Sequence, residues 1–327
     1  MNISHSTLRP ADSLQIARFS GLSTFMRLPY RSDAEGVDVA MVGVPFDFPT
    51  NRGGARHGPS QVREMSRLIR RFPAGGGESP FDMCSFADIG DAPFNPLDPH
   101  GAVETISAYF SVLADKRVVP VACGGDHAVS YFVLRGIVRG GPIGFVQFDS
   151  HPDTSEELYG DRYNHGTLLT RAVEEGLVDP KRTISVGLRG TRFSRTDRSF
   201  NEQHGMRVID FDEFDTIGRV AVINEIRRVV GDGPCYITFD IDALDSCFVP
   251  GTGAPEPGGL TMRDAQVVIR GLDGLNIIGA DMCEVSPPLD PQGITALNGA
   301  NVLFELLCIT ATAVARRRDK ANSGEGQ

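Results

Sequence analysis

Short apolar runs and longer amphipathic stretches take turns along this chain. The runs at 37–44, 118–123, 143–148, 183–188, 207–210, 235–242 and 277–281 are rich in Val, Ile and Phe, as expected of strands buried on both faces. Pro59 opens a helix in which Val62, Met65, Leu68 and Ile69 share one face, and 103–116 keeps the same period with Val103, Ile106, Phe110 and Leu113. Further helices are expected over 128–139, 167–175, 220–230, 262–270 and 299–314. Segment 72–80 is a Gly/Pro-rich loop, and 150–164 is a polar loop of a length that is usually functional. Strands alternating with helices predict an α/β fold, a mostly parallel sheet with helices on both faces. No repeat or linker interrupts it, so residues 1–327 read as a single domain. Within it, 1–30 is an N-terminal arm whose Phe25, Met26, Leu28 and Tyr30 suit docking on a neighbour, and 316–327 is a charged tail that frays.

In such sheets the ligand sits beyond the carboxyl ends of the strands. That rim is where this sequence concentrates its chemistry. Gly124-Gly125-Asp126-His127, Asp149-Ser150-His151-Pro152-Asp153 and Asp240-Ile241-Asp242 each end or follow a strand-like run. Alternate residues of an extended segment point the same way, so Asp149, His151 and Asp153 can face one centre, as can Asp240 and Asp242. With His127 the set holds two imidazoles and four carboxylates. Four negative charges match two divalent cations, which lower the pKa of water enough to make hydroxide at neutral pH. An oxygen-rich donor set without cysteine favours Mn²⁺, with Ni²⁺ or Co²⁺ able to substitute, over a structural zinc. A lone Asp-x-Asp is ordinarily a turn or a cap; three such segments at strand ends are not.

Composition narrows the alternatives. The net charge of −10 and the lack of a basic stripe disfavour a nucleic-acid partner. Six cysteines without a CxxC pair suit a reduced, cytoplasmic protein. No signal peptide is visible and no apolar stretch reads as a membrane span, so no membrane partner is expected.

The three segments, together with Thr238-Phe239-Asp240-Ile241-Asp242-Ala243-Leu244-Asp245 and Val249-Pro250-Gly251-Thr252-Gly253-Ala254-Pro255-Glu256, resemble the signatures of the ureohydrolases. That family includes arginase, agmatinase, guanidinobutyrase and guanidinopropionase. The 51–59 and 87–93 segments are most similar to the guanidinopropionase and guanidinobutyrase branch. The resemblance implies the three-layer α/β/α sandwich of the arginase/deacetylase type. It also implies hydrolysis of a guanidino group to urea and an amine through a hydroxide shared by two Mn²⁺ or Ni²⁺ ions, in a homotrimer or hexamer. His127, Asp149, His151, Asp153, Asp240 and Asp242 would be the ligands, with Asp149 and Asp240 bridging. Asp126 and Asp245 would lie behind them. Glu284 would hold the guanidinium, His165 would shuttle protons, and Asp153 would count among the catalytic groups.

The sequence departs from the family around the expected pocket mouth. Asp47-Phe48-Pro49-Thr50-Asn51-Arg52 is one residue shorter than usual and carries Phe-Pro, Ser150 and Ser155 replace the usual Ala and Asn, and Leu168-Leu169 stands where Pro-Phe is common. Ser246 and Ala254 also differ from the family's Pro and Thr. Phe48, Pro49, Asn51, Ser155 and Leu168 are therefore candidate pocket residues. The substrate expected is a guanidino acid or, through these loops, an N-alkylated guanidine or a biguanide. Two other readings stand beside it. One is a subunit with a structural or regulatory role, inactive without a homologous partner in a hetero-oligomer. The other is a deacetylase of the same fold, with one zinc and fewer carboxylates.

Overall fold

Along the central strands, alternate residues go to opposite cores. Val39 and Met41 pack on one side of the sheet and Ala40, Val42 and Val44 on the other; Val146 and Phe148 separate in the same way from Phe145. The computed structural model describes residues 8–48 and 52–323. Its strands are β1 (Val39–Val44), β2 (Phe86–Asp91), β3 (Val119–Gly124), β4 (Ile143–Phe148), β5 (Val178–Leu188), β6 (Arg207–Asp210), β7 (Pro234–Asp240) and β8 (Asn276–Cys283). They form one 8-stranded sheet in the order β2-β1-β3-β8-β7-β4-β5-β6. Every pairing is parallel.

Helices cover both faces, as an all-parallel sheet requires. On one side lie α1 (Gly58–Ser66), α2 (Pro80–Met83), α7 (Phe211–Val230), α8 (Met262–Gly271) and α9 (Ile294–Ser323). On the other lie α3 (Pro99–Asp115), α4 (Ala128–Ile137) and α5 (Leu168–Glu174), while the short α6 (Ser199–His204) sits near the β5–β6 edge. Caps start several of them. Asp98 accepts from the Gly101 amide before α3, and Thr261 and Asp264 form a reciprocal capping box before α8. This is the three-layer α/β/α architecture expected, with a sheet that is parallel throughout.

The structure departs from the sequence pattern in several places, and the following have a clear physical cause. Strand β2 was not legible, because Asp88 and Gly90 interrupt its apolar run. Asp88 is nonetheless buried, since Arg63 donates to it at 2.8 and 3.1 Å and the Phe25 amide at 2.9 Å. Leu68 lies past the end of α1 and is exposed, while Val62 and Met65 face the core. The segment Phe25–Leu28 docks on its own subunit: Phe25, Met26 and Leu28 are buried, and the Arg63 guanidinium stacks 4.3 Å from the Phe25 ring centroid. The expected fraying tail continues α9 to Ser323, with Arg317 donating to the Ile277 carbonyl at 2.8 Å and Arg318 to Asp38 at 2.8 Å.

Helix α9 is also long and apolar enough, with a window of mean hydropathy 1.5, to meet the length and composition of a membrane span, contrary to the sequence reading. That window is 72% buried inside the molecule, packed along β8, as a core helix would be. Truncating the ring that anchors the N-terminal segment tests its docking. Phe25→Ala should lose about 3–5 kcal/mol in equilibrium urea unfolding, the cost of a large buried cavity. A loss within about 0.5 kcal/mol, as at an exposed site, would show that the segment packs elsewhere.

Candidate metal centre

Four neighbouring strands at the middle of the sheet, β3, β8, β7 and β4, deliver the candidate residues at their carboxyl ends. His127 follows β3, Glu284 follows β8, Asp240 ends β7 and Asp149 follows β4. Adjacency of the strands turns residues far apart in sequence into one cluster. The paired glycines before His127 make room for it. A β-carbon on Gly125 would overlap the Phe46 carbonyl, to which the Asp126 amide donates at 2.9 Å.

All six expected ligands converge. His127 Nδ1 lies 3.0 Å from Asp149 Oδ2, 2.8 Å from Asp153 Oδ2 and 3.3 Å from Asp240 Oδ2. His151 Nδ1 lies 3.0 Å from Asp242 Oδ2 and 3.6 Å from Asp149 Oδ1. Two triads of donor atoms, His127-Asp149-Asp153 and Asp149-His151-Asp242, each span less than 4.8 Å, and they share Asp149. Sharing one carboxylate is what a bridging ligand does. Asp240 directs Oδ2 at His127 and Oδ1 at the Asp242 amide, 2.8 Å away.

A second layer of buried polar residues fixes these side chains. Thr238 Oγ1 donates to Asp281 Oδ1 at 2.6 Å, so its lone pair accepts from His127 Nε2–H at 2.8 Å. Nδ1 of His127 is left facing three carboxylates, whose charges outweigh burial and hold its imidazole well above its ordinary pKa when no metal is bound. It is buried and meets none of them in hydrogen-bond geometry. A cation placed between these atoms would satisfy the nitrogen and the three carboxylates together. Asp281 also accepts from Tyr236 Oη at 2.5 Å. Ser185 Oγ donates to Gln147 Oε1 at 2.8 Å, and Gln147 Nε2 donates to Asp149 Oδ2 at 2.8 Å. Ser150 donates to Asp242 Oδ1 through its hydroxyl at 2.8 Å and its amide at 3.1 Å. Arg189 donates to the carbonyls of Asp242 and Leu244 at 2.7 and 3.0 Å, clamping the loop that carries Asp242.

Thr238, Asp281, Gln147, Ser185 and Arg189 were missed from the sequence. Four of them are polar residues inside apolar strand runs, and that was the available signal: a polar side chain in a doubly buried strand needs a partner. The two residues expected behind the ligands behave differently. Asp126 accepts from the Phe48 amide at 2.8 Å and the Ala128 amide at 3.1 Å, tying the 47–48 segment to the start of α4. Asp245 reaches no ligand side chain. Its carboxylate takes the Cys247, Gly258 and Gly259 amides at 2.9, 2.5 and 3.0 Å and so anchors a turn, which corrects its assignment to the metal's surroundings.

A cavity of about 590 Å³ opens over the cluster. His127, His151, Asp153, His165 and Glu284 lie on its wall, as do Phe48 and Ser155. Leu168 does not; it is buried at the start of α5 against α4, a core position set by helical packing, so its pocket assignment is corrected. Pro49 and Asn51 fall outside the described residues. Glu284 Oε1 accepts from the His127 amide at 2.8 Å. Asp153 and Glu284 both hold left-handed backbone, with φ of 51° and 67°, a strained conformation for residues with side chains and one that gathers at functional sites.

The electrostatics fit a cation-binding site. Burial, then the Asp149 charge, pushes Asp153 up to about 7; burial, then Asp242 and Asp149, holds Asp240 well above the usual carboxylate range. Burial also raises Glu284, with Asp240 and Asp126 adding to it. Crowded carboxylates hold protons when nothing else neutralises them. His165 shifts the other way. Burial, then the neighbouring His151 and His127, lowers its imidazole to about 4, so it is neutral at physiological pH.

The arginase family model matches residues 37–308, which include every candidate ligand in this cluster. The chain belongs to the arginase family. It is 46% identical to guanidinopropionase of Pseudomonas aeruginosa over 310 residues, covering 94% of this chain and 98% of that enzyme. Guanidinobutyrase of the same organism is 40% identical, with the same coverage of 94% and 98%. The solved structure of proclavaminate amidino hydrolase from Streptomyces clavuligerus superposes with a TM-score of 0.87 at 36% identity, over 91% of this chain and 100% of that one. As a member of the arginase family this chain is a hydrolase acting on C–N bonds of guanidino compounds. The metal dependence of the family agrees with the donor set, in which His127, Asp149, Asp153 and Asp240 would hold one ion and Asp149, His151 and Asp242 the other.

Two outcomes follow from this geometry. Thr238→Val keeps the shape but breaks the bond to His127, and should weaken retention of the His127-side ion about 10–100-fold in a chelator competition. Unchanged affinity would remove the relay from the account. In the stripped protein, Asp153 and Asp126 sit at about 7 when folded against 3.8 as the reference value. The folded chain therefore keeps protons that the unfolded chain has released, and stability falls as pH rises from about 4 to about 7. Thermal melts after chelation should show that fall. Melts of the metal-loaded protein should show a smaller fall, because Asp153 as a ligand would bind metal deprotonated while Asp126 keeps its share.

Proposed function

We propose that this chain is a two-metal amidinohydrolase that releases urea from a short guanidino acid, of the guanidinopropionate or guanidinobutyrate kind. The observation that carries this reading is Glu284. Its carboxylate is held at one oxygen by the His127 amide, on strained backbone, in the cavity wall directly over the ligand cluster. A guanidinium is planar and cationic, and a fixed carboxylate is its natural partner. The names of the relatives at 46% and 40% identity point the same way.

The guanidinium carbon is a poor electrophile, since its charge is spread over three nitrogens. When bound, the two ions supply the Lewis acidity that makes water a useful nucleophile at neutral pH. Glu284 holds the planar group and presents its carbon to the cluster. His165, neutral on the cavity wall, accepts a proton as the tetrahedral carbon forms and returns it to the nitrogen that leaves as the amine. The products are urea and an amine-bearing acid.

The direct test is urea release by the full chain after loading with Mn²⁺ or Ni²⁺. The panel covers guanidino acids of two to four carbons, arginine, agmatine, N-alkylated guanidines and biguanides. A guanidino acid should give the highest kcat/KM. No urea from any of them would overturn the reading. Turnover only after addition of a homologous chain would favour the obligate-subunit alternative. Glu284→Gln should lose about 100-fold in kcat/KM, on the scale of one charge-assisted bond at roughly 3 kcal/mol, with metal content intact. Full activity in that variant would take the guanidinium away from Glu284.

A further inference from the structure

Most arginines on or just behind the cavity wall have a structural task. Arg189 is bound to loop carbonyls, Arg198 pairs with Asp210 at 3.0 Å, and Arg56 donates to Asp47 at 3.3 Å. Arg192 and Arg52 also line the cavity and are exposed, yet neither has a carboxylate or hydrogen-bond partner among the described residues. A guanidinium without such a partner on the wall of a substrate cavity can bind an anion.

The chain is built to hold Arg192 there. Arg189 and Arg198 pin the two ends of the segment between them. Gly190 turns sharply at φ 78°, against the Glu256 carboxylate, where a side chain would not fit. Asp197 Oδ1 takes the Ser194 amide at 2.7 Å and the Ser194 hydroxyl at 2.5 Å, closing a turn just beyond Arg192. The result is a braced lip rather than a loose loop. Its tip is open to the cavity mouth: Phe193, next to Arg192, is 99% exposed. Arg52 stands nearer the floor. A β-carbon placed on Gly253 would lie 3.0 Å from the Arg52 carbonyl and 3.8 Å from Glu284 Oε2, so the Arg52 backbone and the guanidinium-binding carboxylate flank the same glycine.

We infer that Arg192, with Arg52, binds the carboxylate of the substrate and is the residue that selects guanidino acids over guanidines with neutral or cationic tails. This rests on the function proposed above. The competing charge at the mouth is smaller. Asp197 is spent on its own turn, which leaves Glu157 as the exposed acid on this wall with no partner among the described residues. Two unpaired cations against one unpaired anion favour an acidic tail. Arg192 is a binding residue in this account and touches no reacting atom. Its loss should therefore appear in KM rather than kcat.

The test uses a matched pair of substrates on the metal-loaded full chain: a guanidino acid and the alkylguanidine of equal length without the carboxylate. The wild type should favour the acid. Arg192→Gln should raise KM for the acid about tenfold or more at similar kcat, and so collapse the kcat/KM ratio between the two substrates. Arg192→Lys should restore part of that ratio, and Arg192→Glu should shift preference toward agmatine. Arg52→Gln should lower the ratio in the same direction. An unchanged ratio in both glutamine variants, each still holding its metal, overturns the inference and leaves the proposed function standing. A wild type that prefers the alkylguanidine or a biguanide overturns the inference and, with it, the guanidino-acid part of the proposed function. A wild type that releases no urea from either substrate overturns both.

Discussion

Four buried carboxylates within a few ångströms of one another are the constraint around which this protein is organised. Asp149, Asp153, Asp240 and Asp242 are each at most 7% exposed, and among the described residues no arginine or lysine pairs with any of their side chains. Two imidazoles cannot offset four such charges. Without metal, Asp153 and Asp240 stay buried by holding protons, and cations that displace those protons link metal binding to stability as well as to chemistry. The orphaned Nδ1 of His127 meets the same crowding at a single atom.

The parallel sheet is what makes this crowding achievable. Adjacent strands end on one rim, so each of four central strands needs to contribute only one or two residues. Rigidity comes from behind. Thr238 and Asp281 hold His127, Gln147 and Ser185 hold Asp149, and Ser150 with Arg189 holds Asp242 and its loop. Positive φ at Asp153 and Glu284 is tolerated because the surrounding bonds over-determine both positions, including the Glu284 amide donating to the Gly125 carbonyl at 2.8 Å. The rim is therefore stiff where ligands are held. The cavity mouth above it is formed by longer loops whose side chains are exposed.

Much of this was legible in the chain. Continuous apolar runs marked seven of the eight strands of the described sheet, and the ends of four of them pointed to the candidate site residues. Five of the six candidate ligands line one cavity with Glu284 and His165, and Asp149 lies buried against His127 and His151. Strand β2 escaped because a buried Asp88 breaks its pattern, and its burial depends on Arg63 from a different element, which no local window contains. Leu168 was misplaced because a substitution beside a motif was weighed above helical packing. Asp245 was misplaced because an acidic residue two positions beyond a ligand turn more often anchors that turn. The residues behind the ligands were missed because their meaning depends on cross-strand neighbours. Thr238 touches His127, 111 positions away in sequence.

The central claim is that the rim holds a pair of divalent ions around Asp149. It is tested most directly by elemental analysis of the purified full chain after equilibrium dialysis against Mn²⁺ or Ni²⁺. The account predicts two equivalents per chain, falling below two in Asp149→Ala as both sites lose their shared ligand. Saturation at a single equivalent, or at none, under every loading condition would contradict it.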